Sequence, residues 1–258
     1  AVVRGIVLDG LEICCTDSVN EIGGDPGPNG DAVYPEEDGM VYLEYAEAIE
    51  IRNCHLHHAG MHAIFGNRWV QHCIFDGNHI HDVGFTGVLL NGAWRGIRYE
   101  NHHNTVTNNY IHNMGLVLGQ GSGIQLVQSG DNVVAHNRVH TTTRYSISLK
   151  GPHPQHIVYH QVDGVYVREH NKEHLAHTRH NRILYNDMSN ANTDSQDTGV
   201  IESWGVYGPD NRIQHNLIHD SLIPFSFGLV IYLDDMASYY TITHNILHTL
   251  QKQKTQGV

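Results

Sequence analysis

The sequence predicts an all-β fold, a right-handed single-stranded parallel β-helix in which short strands stack coil on coil. The first observation is a repeated tetrapeptide of Asn, any residue, an aliphatic residue and His, found at 78–81, 109–112, 137–140, 216–219 and 245–248. Weaker copies begin at Cys54 and Asn186. The second observation is their uneven spacing of 24, 31, 28, 49, 30 and 29 residues. A β-helix allows this variation because its turns can grow, whereas helical repeats keep a nearly fixed length.

Short strand-like runs surround each copy of the tetrapeptide. One run leads into the marked Asn, as in 133–136, 212–215 and 241–244. A Gly and a second short run follow, as in 87–90, 123–126 and 199–202. No helix of normal length fits between these signals, so the pattern predicts strands and turns throughout.

Stacking predicts columns of equivalent residues, because each coil lies about 4.8 Å above the last. At that spacing the amide of one marked Asn can hydrogen-bond to the next. The aliphatic residue two places on is predicted to fill the core. That column contains Leu56, Ile80, Ile111, Val139, Met188, Ile218 and Leu247. The His column that follows contains His57, His81, His112, His140, His219 and His248, and we expect hydrogen bonds within it rather than a metal site.

The continuous repeat predicts one β-helix domain over 1–258, with regular coils at about 41–250 and loop insertions at 17–40 and 151–180. The formal charge of −12, from 15 Lys+Arg and 27 Asp+Glu, argues against nucleic acid or an anionic membrane as a partner. No apolar run approaches the roughly 18 residues of a membrane span. The first residues already form a strand without a cap, so we expect the chain to be part of a longer protein.

Cysteine and loop composition offers few cofactor signals. The spacings of Cys14, Cys15, Cys54 and Cys73 match no zinc motif, and Cys54 replaces a marked Asn, which predicts a small buried side chain rather than a disulfide. The acidic loop 17–40 is predicted to be a solvated insertion. Calcium is the alternative there, with oxygen ligands from Asp25, Asp31, Glu36, Glu37 or Asp38 but without EF-hand spacing. We expect no cofactor and no metal ligand in the functional site.

The second insertion contains four histidines at helical spacing. His170, His174, His177 and His180 would share one face of a short helix. A zinc site there lacks the usual metalloprotease order of ligands, so we favour a helix without metal.

The second strand of each coil alternates between aliphatic side chains, predicted to face the core, and mostly polar or aromatic ones, predicted to face outward. Carboxylates can move protons, aromatic rings stack on sugar rings, and amides bind hydroxyls. We therefore expect a carbohydrate-binding groove along this face. Its candidate residues are Asn91, Gln125, Lys150, Glu202, Trp204, Tyr232, Asp234 and Asp235.

Three segments near the end of the chain carry a resemblance to a known family. They are DTGVIESWG at 197–205, NRIQHNLIHD at 211–220 and VIYLDD at 230–235. With the preceding coils, over about 40–250, they resemble the parallel β-helix catalytic domain of glycoside hydrolase family 141. That family includes extracytoplasmic α-L-fucosidases and xylanases that use two Asp residues as the catalytic pair. The resemblance implies an extracellular or periplasmic glycoside hydrolase, with Asp197 as the first Asp and Asp234, or its neighbour Asp235, as the second.

Strand alternation adds Glu202 as a third catalytic candidate. Glu202 and Asp234 are predicted on adjacent strands, two positions apart on one face, which places their Cα atoms about 8 Å apart. Asp197 reaches the same place only if the chain bends back, and Asp234 is our first candidate. Two other classes remain open: a lyase acting on a uronate polymer with Lys150 as the base, and a non-catalytic carbohydrate-binding or adhesin β-helix.

Overall fold

A computed structural model describes residues 1–17, 39–92, 98–153, 157–223 and 228–252. These residues form a parallel β-helix in which each coil contributes one strand to each of three long sheets. The first sheet contains β1 (Val3–Arg4), β4 (Gly39–Glu47), β7 (His62–Gln71), β10 (Val88–Asn91), β14 (Ile124–Val127), β17 (Ile147–Lys150), β22 (Thr198–Trp204) and β26 (Gly228–Asp234), and β11 (Asn101–His102) also pairs with β7. We call it the site sheet.

The other two long sheets complete the coils. The second contains β2 (Val7–Asp9), β5 (Glu50–Arg52), β8 (Ile74–Asp76), β12 (Thr105–Thr107), β15 (Val133–Ala135), β20 (Arg182–Leu184), β23 (Asn211–Gln214) and β27 (Tyr240–Thr243). The third, which we call the histidine sheet, contains β3 (Glu12–Cys14), β6 (His55–Ala59), β9 (His79–Val83), β13 (Tyr110–Met114), β16 (Arg138–Thr142), β21 (Asp187–Ser189), β24 (Leu217–His219) and β28 (Ile246–His248).

Two short pairs lie outside the three long sheets. They are the antiparallel β18 (Gln161–Val162) with β19 (Val165–Tyr166), and the parallel β25 (Leu222–Ile223) with β29 (Gln251–Lys252). A 3₁₀ helix covers Lys172–Leu175. No helix in the described ranges is long and apolar enough to cross a membrane.

The predicted core column is confirmed by the strand register. Ile111 pairs with Ile80 on one side and Val139 on the other, and all three are fully buried. The same burial holds for Leu56, Met188 and Ile218. Leu247 differs, with 43% of its surface exposed, because β28 pairs only with β24 in the described part of the chain.

The predicted Asn column is also confirmed. The Nδ2 of Asn78 donates to Oδ1 of Asn109 at 3.0 Å, and Asn109 donates in the same way to Asn137 at 2.9 Å. The chain of bonds continues through Asn186 and Asn216 to Asn245. Each acceptor oxygen also takes a backbone N–H from the coil before, so one amide satisfies several buried polar groups of its turn.

A second Asn ladder was missed by the sequence analysis. It runs through Asn104, Asn132, Asn181 and Asn211, in which each backbone N–H donates to the next amide oxygen. Nδ2 of Asn132 and of Asn181 also donates to the next Asn, whereas Nδ2 of Asn104 donates to Asn101 Oδ1. Each member lies five residues before a member of the first ladder, and this constant offset was the available signal. Both ladders begin at a buried cysteine, because the N–H groups of Cys54 and Cys73 donate to Asn78 and Asn104.

The structure tests the expectations for the cysteines and for the histidines of the second insertion. All four cysteines are free, and Cys54 is buried as predicted. The described part of the insertion contains the β18–β19 hairpin and the 3₁₀ helix. Its apolar side chains form a separate small cluster together with Tyr207: Ile157, Val158, Val162, Val167 and Ala176. The expectation of one helix carrying His170, His174, His177 and His180 is wrong, because only Lys172–Leu175 of this described stretch is helical and His177 is buried. The calcium candidates Asp25, Asp31, Glu36, Glu37 and Asp38 lie outside the described residues.

Acid is expected to destabilise the fold. Burial lowers the pKa of His62 to about 3, and burial with neighbouring histidines lowers those of His79 and His102 to about 4. The unfolded chain takes up these protons near pH 6.5, so the stability present above that pH is lost as the pH falls toward the folded values. His219 opposes this trend because hydrogen bonding to Asp220 raises its pKa.

Calorimetry should therefore show a melting temperature that falls between about pH 7 and pH 5. The melting temperature of the His79→Gln variant should fall by less than that of the wild type over the same pH interval. A melting temperature that rises on acidification would mean that ion-paired histidines such as His219 dominate.

Candidate functional site

The site lies on the outer face of the site sheet, where β17, β22 and β26 run side by side. The register places Ser148, Glu202 and Tyr232 in one row across the three strands. Two residues further on, Lys150, Trp204 and Asp234 form the next row. Glu202 and Asp234 thus have the two-position offset that the alternation predicts.

Tyr232 lies near both Asp candidates. Its hydroxyl donates a hydrogen bond to Oδ1 of Asp197 at 3.2 Å, and Asp234 lies two residues further along β26 on the same face. Asp197 directly precedes β22 with φ of 54°, a left-handed conformation that bends the chain back to the site. Tyr232 thus links Asp197 to the strand that carries Asp234.

The same surroundings keep Tyr232 protonated. Burial raises its pKa first, and hydrogen bonding to Asp234 with the negative charges of Asp234 and Asp197 raises it further. A protonated Tyr232 remains a hydrogen-bond donor between the two carboxylates.

Glu202 lies beneath this surface rather than on it. It is 2% exposed, and Lys150 Nζ lies 2.7 Å from its Oε1 while Ser148 Oγ donates to its Oε2 at 2.9 Å. Burial raises the pKa of Glu202, and the Lys150 ammonium opposes that rise. Both carboxylate oxygens are occupied by protein groups, so Glu202 cannot reach a substrate without breaking these contacts.

Arg144 and Tyr145 were missed by the sequence analysis. The Arg144 guanidinium donates to the backbone oxygen of Asp197 at 3.1 Å and lies 4.8 Å from the Tyr145 ring centre. Lys150 Nζ lies 4.7 Å from the same ring centre and 3.4 Å from its hydroxyl. Their one sequence signal is that they come just before a strand, as Asp197 does. Arg144 thus ties the bend at Asp197 to the neighbouring coil.

Asp235 has partners of its own. Trp204 Nε1 donates to Asp235 Oδ2 at 3.2 Å, and His153 Nε2 lies 3.6 Å from that oxygen. The His153 and Trp204 rings lie 4.6 Å apart between centres. Asp234 contacts Asp235 only through the backbone, since its Oδ1 accepts the Asp235 N–H at 2.8 Å. The two neighbouring acids therefore have different surroundings.

The structure differs from the expected groove in the earlier coils. Leu89 and Val127 point outward but are buried against Phe65, because long apolar side chains on adjacent strands cover one another. Gln125 is also buried, and Asn91 donates to the Asn67 amide oxygen at 3.1 Å. Asn91 lies four strands from Asp234, roughly 19 Å away. The candidates that come together are thus Lys150, Asp197, Glu202, Trp204, Tyr232, Asp234 and Asp235, whereas Asn91 and Gln125 lie apart.

Comparison with known proteins assigns the family. The family described as "Right handed beta helix region" matches residues 39–257, and the chain belongs to this family. The predicted fold class, including its handedness, is thereby confirmed. No curated protein sequence matches the chain. Membership of glycoside hydrolase family 141 stays a prediction.

Several solved structures are similar in fold. A protein described as a glycoside hydrolase has a TM-score of 0.59 at 14% identity, covering 83% of this chain and 38% of that chain. The A-module of the Azotobacter vinelandii mannuronan C-5 epimerase AlgE6 has a TM-score of 0.51 at 12% identity, covering 99% of this chain and 58% of that chain. An alginate lyase from Paenibacillus sp. str. FPU-7 has a TM-score of 0.49 at 14% identity, covering 83% and 75%. This chain thus spans less than two thirds of the first two proteins.

Proposed function

We propose that this protein is a carbohydrate-active enzyme that hydrolyses glycosidic bonds with Asp197 and Asp234 as its catalytic pair. The observation that carries the proposal is the hydrogen bond from the Tyr232 hydroxyl to Asp197, with Asp234 two residues further along β26 on the same face. Two carboxylates on one outer surface are what glycoside hydrolysis uses. The resemblance of 197–205 and 230–235 to a hydrolase family, and the similarity in fold to a glycoside hydrolase, support the same class.

The proposed chemistry divides the work between the two acids. One carboxylic acid donates its proton to the leaving oxygen, while the other carboxylate acts as nucleophile or activates a water molecule. Tyr232 stays protonated near both carboxylates and orients Asp197 by hydrogen bonding. The half-buried Trp204 ring offers a surface for stacking a sugar.

Glu202 acts in this proposal as a positioning residue. Its pair with Lys150 holds a positive charge in the row that carries Trp204 and Asp234. That charge and Arg144 offset the negative charge that two nearby carboxylates bring to the site.

Breaking the pair is expected to cost stability more than chemistry. Glu202→Gln should lower the free energy of unfolding by about 3 kcal/mol, because it leaves the Lys150 ammonium without its carboxylate. Adding Lys150→Met to this variant should recover part of the loss, since the unpaired charge is then gone. Urea denaturation of both single variants and the double variant measures the coupling. If the losses of unfolding free energy in the two single variants add up to the loss in the double variant, Glu202 and Lys150 do not form an ion pair.

A polysaccharide lyase is the second candidate. Burial lowers the pKa of Lys150, whose ammonium lies near the Tyr145 hydroxyl, and an amine of this kind can act as a base. The hydrolase is preferred because Lys150 is already bound to Glu202.

The substrate of the hydrolase is proposed to be a plant or microbial polysaccharide or oligosaccharide that the protein meets outside the cytoplasm.

Product analysis on a substrate panel tests this proposal. The panel contains aryl glycosides of neutral sugars, xylan, pectin and alginate. The proposal predicts new reducing ends from a polysaccharide or a free phenol from an aryl glycoside. Neither reaction should give the ultraviolet absorbance of an unsaturated sugar. An unsaturated product from pectin or alginate would favour the lyase. Retention on one of these polymers without any cleavage would favour the non-catalytic binding protein.

A further inference from the structure

The outer face of the histidine sheet carries a dense group of imidazoles far from the proposed catalytic acids. Strand register builds two columns there, set two residues apart along the strands. The first contains Glu12, His55, His79 and Tyr110, and the second contains Cys14, His57, His81 and His112. Neighbouring rings within each column stack, as do His55 with His79 at 4.9 Å and His81 with His112 at 5.0 Å between centres.

Diagonal contacts bring ring nitrogens of the two columns together. His55 Nε2 lies 2.7 Å from His81 Nε2, one coil further on. The next diagonal repeats this, with His79 Nε2 lying 2.9 Å from His112 Nε2. His55, His79 and His81 each offer a nitrogen within 4.8 Å of the other two. Three imidazole nitrogens thus converge on a small volume between β6 and β9.

A carboxylate behind the cluster fixes the orientation of His81. Nδ1 of His81 lies 2.8 Å from Asp82 Oδ2, and Asn113 Nδ2 donates to the other oxygen of Asp82 at 2.8 Å. A carboxylate oxygen accepts, so the 2.8 Å contact assigns the hydrogen to Nδ1 of His81. The Nε2 lone pair is then directed at the cluster. Carboxylates orient metal-binding histidines in this same way.

We propose that His55, His79 and His81 bind one divalent transition-metal ion of the class that prefers imidazole, such as Zn²⁺, Ni²⁺ or Cu²⁺. Nitrogens on a tetrahedral zinc ion, each about 2.0–2.1 Å from the metal, lie about 3.4 Å apart. The His55–His81 pair, now 2.7 Å apart, must then separate by about 0.7 Å, and a nitrogen pair at the 4.8 Å limit must approach by about 1.4 Å. Binding therefore requires the stacked His55 and His79 rings to rotate toward the ion. The exposed carboxylate of Glu12, 4.0 Å from His55 Nδ1, adds favourable negative charge. The ion would join β6 to β9 and so cross-link two adjacent coils.

Calorimetric titration of tag-free, chelator-treated protein with ZnCl₂ and NiCl₂ tests the proposal. We expect micromolar or tighter binding and a melting temperature that rises with ion concentration. The His79→Gln/His81→Gln double variant should lose one equivalent of ion. The matched control is His215→Gln/His244→Gln, which removes a ring pair stacked at 4.9 Å just after β23 and β27 of the second sheet, without touching the cluster. This control variant should bind the metal ion as tightly as the wild type does.

Two further variants make the outcome decisive. Asp82→Asn keeps all three ligands and should weaken binding by about 10- to 100-fold, as loss of an orienting carboxylate does. His55→Gln replaces the double variant if that one fails to fold, and it too should lose one equivalent. His72, His102 and His103 form another group of three, and an ion there would appear as a further equivalent that the cluster variants leave unchanged. Equal binding by the cluster variants and the control, or no binding by wild type below about millimolar concentrations, would overturn the proposal.

Discussion

Replacing Asp234 by Asn is expected to lower kcat by roughly 10³-fold or more, while the melting temperature stays close to wild type. The amide can neither transfer the proton nor act as the carboxylate in the transition state, but it fills the same space. Steady-state kinetics on whichever panel substrate is cleaved, together with a thermal melt, measure both quantities. Asp220→Asn is the matched control, because it makes the same change in a turn of the histidine sheet.

The other acids should separate into two groups. Asp197→Asn should lose activity as severely as Asp234→Asn, since the proposal makes these residues partners. The kcat of Asp235→Asn should fall only modestly, because Asp235 contacts Trp204 and not the Tyr232 hydroxyl. If Asp234→Asn turns over at nearly the wild-type rate, this surface is not the active site, and the binding-protein alternative moves ahead.

The second large effect concerns the core. Ile111→Ala or Ile218→Ala should each lower the free energy of unfolding by about 2–5 kcal/mol, because each fully buried side chain leaves a cavity between its neighbours on adjacent coils. Equilibrium denaturation in urea measures this loss.

Leu247→Ala is the matched control for the core variants. Leu247 occupies the same column but is 43% exposed, so its truncation should cost clearly less. Equal losses for Ile111→Ala and Leu247→Ala would contradict the burial gradient along the column.

Stacking explains why the fold could be predicted from the sequence. Each coil repeats the same geometry, so the Asn that satisfies one turn at Asn109 is needed again at Asn137 and Asn186. The aliphatic column follows from the same register. The second ladder, beginning at Asn104, escaped because its members are not followed by a recognisable His.

The site was harder to predict because alternation gives the direction of a side chain but not what covers it. Glu202 faces away from the core as expected, yet Lys150 and Ser148 cover its carboxylate. The bend that brings Asp197 to the site depends on a left-handed backbone angle at a residue other than glycine, which no pattern in the sequence signals. The histidine columns were visible, but the diagonal approach of His55 to His81 depends on ring orientation.

Hydrolysis in water enriched with heavy oxygen tests the central claim most directly. A glycosidase adds one water oxygen to the sugar at each bond that it breaks, whereas a lyase forms a double bond and adds none. Mass spectrometry of the products should show one heavy oxygen per cleaved bond for the wild type, and no product above background for Asp234→Asn. Unlabelled, unsaturated products from the wild type would contradict the account.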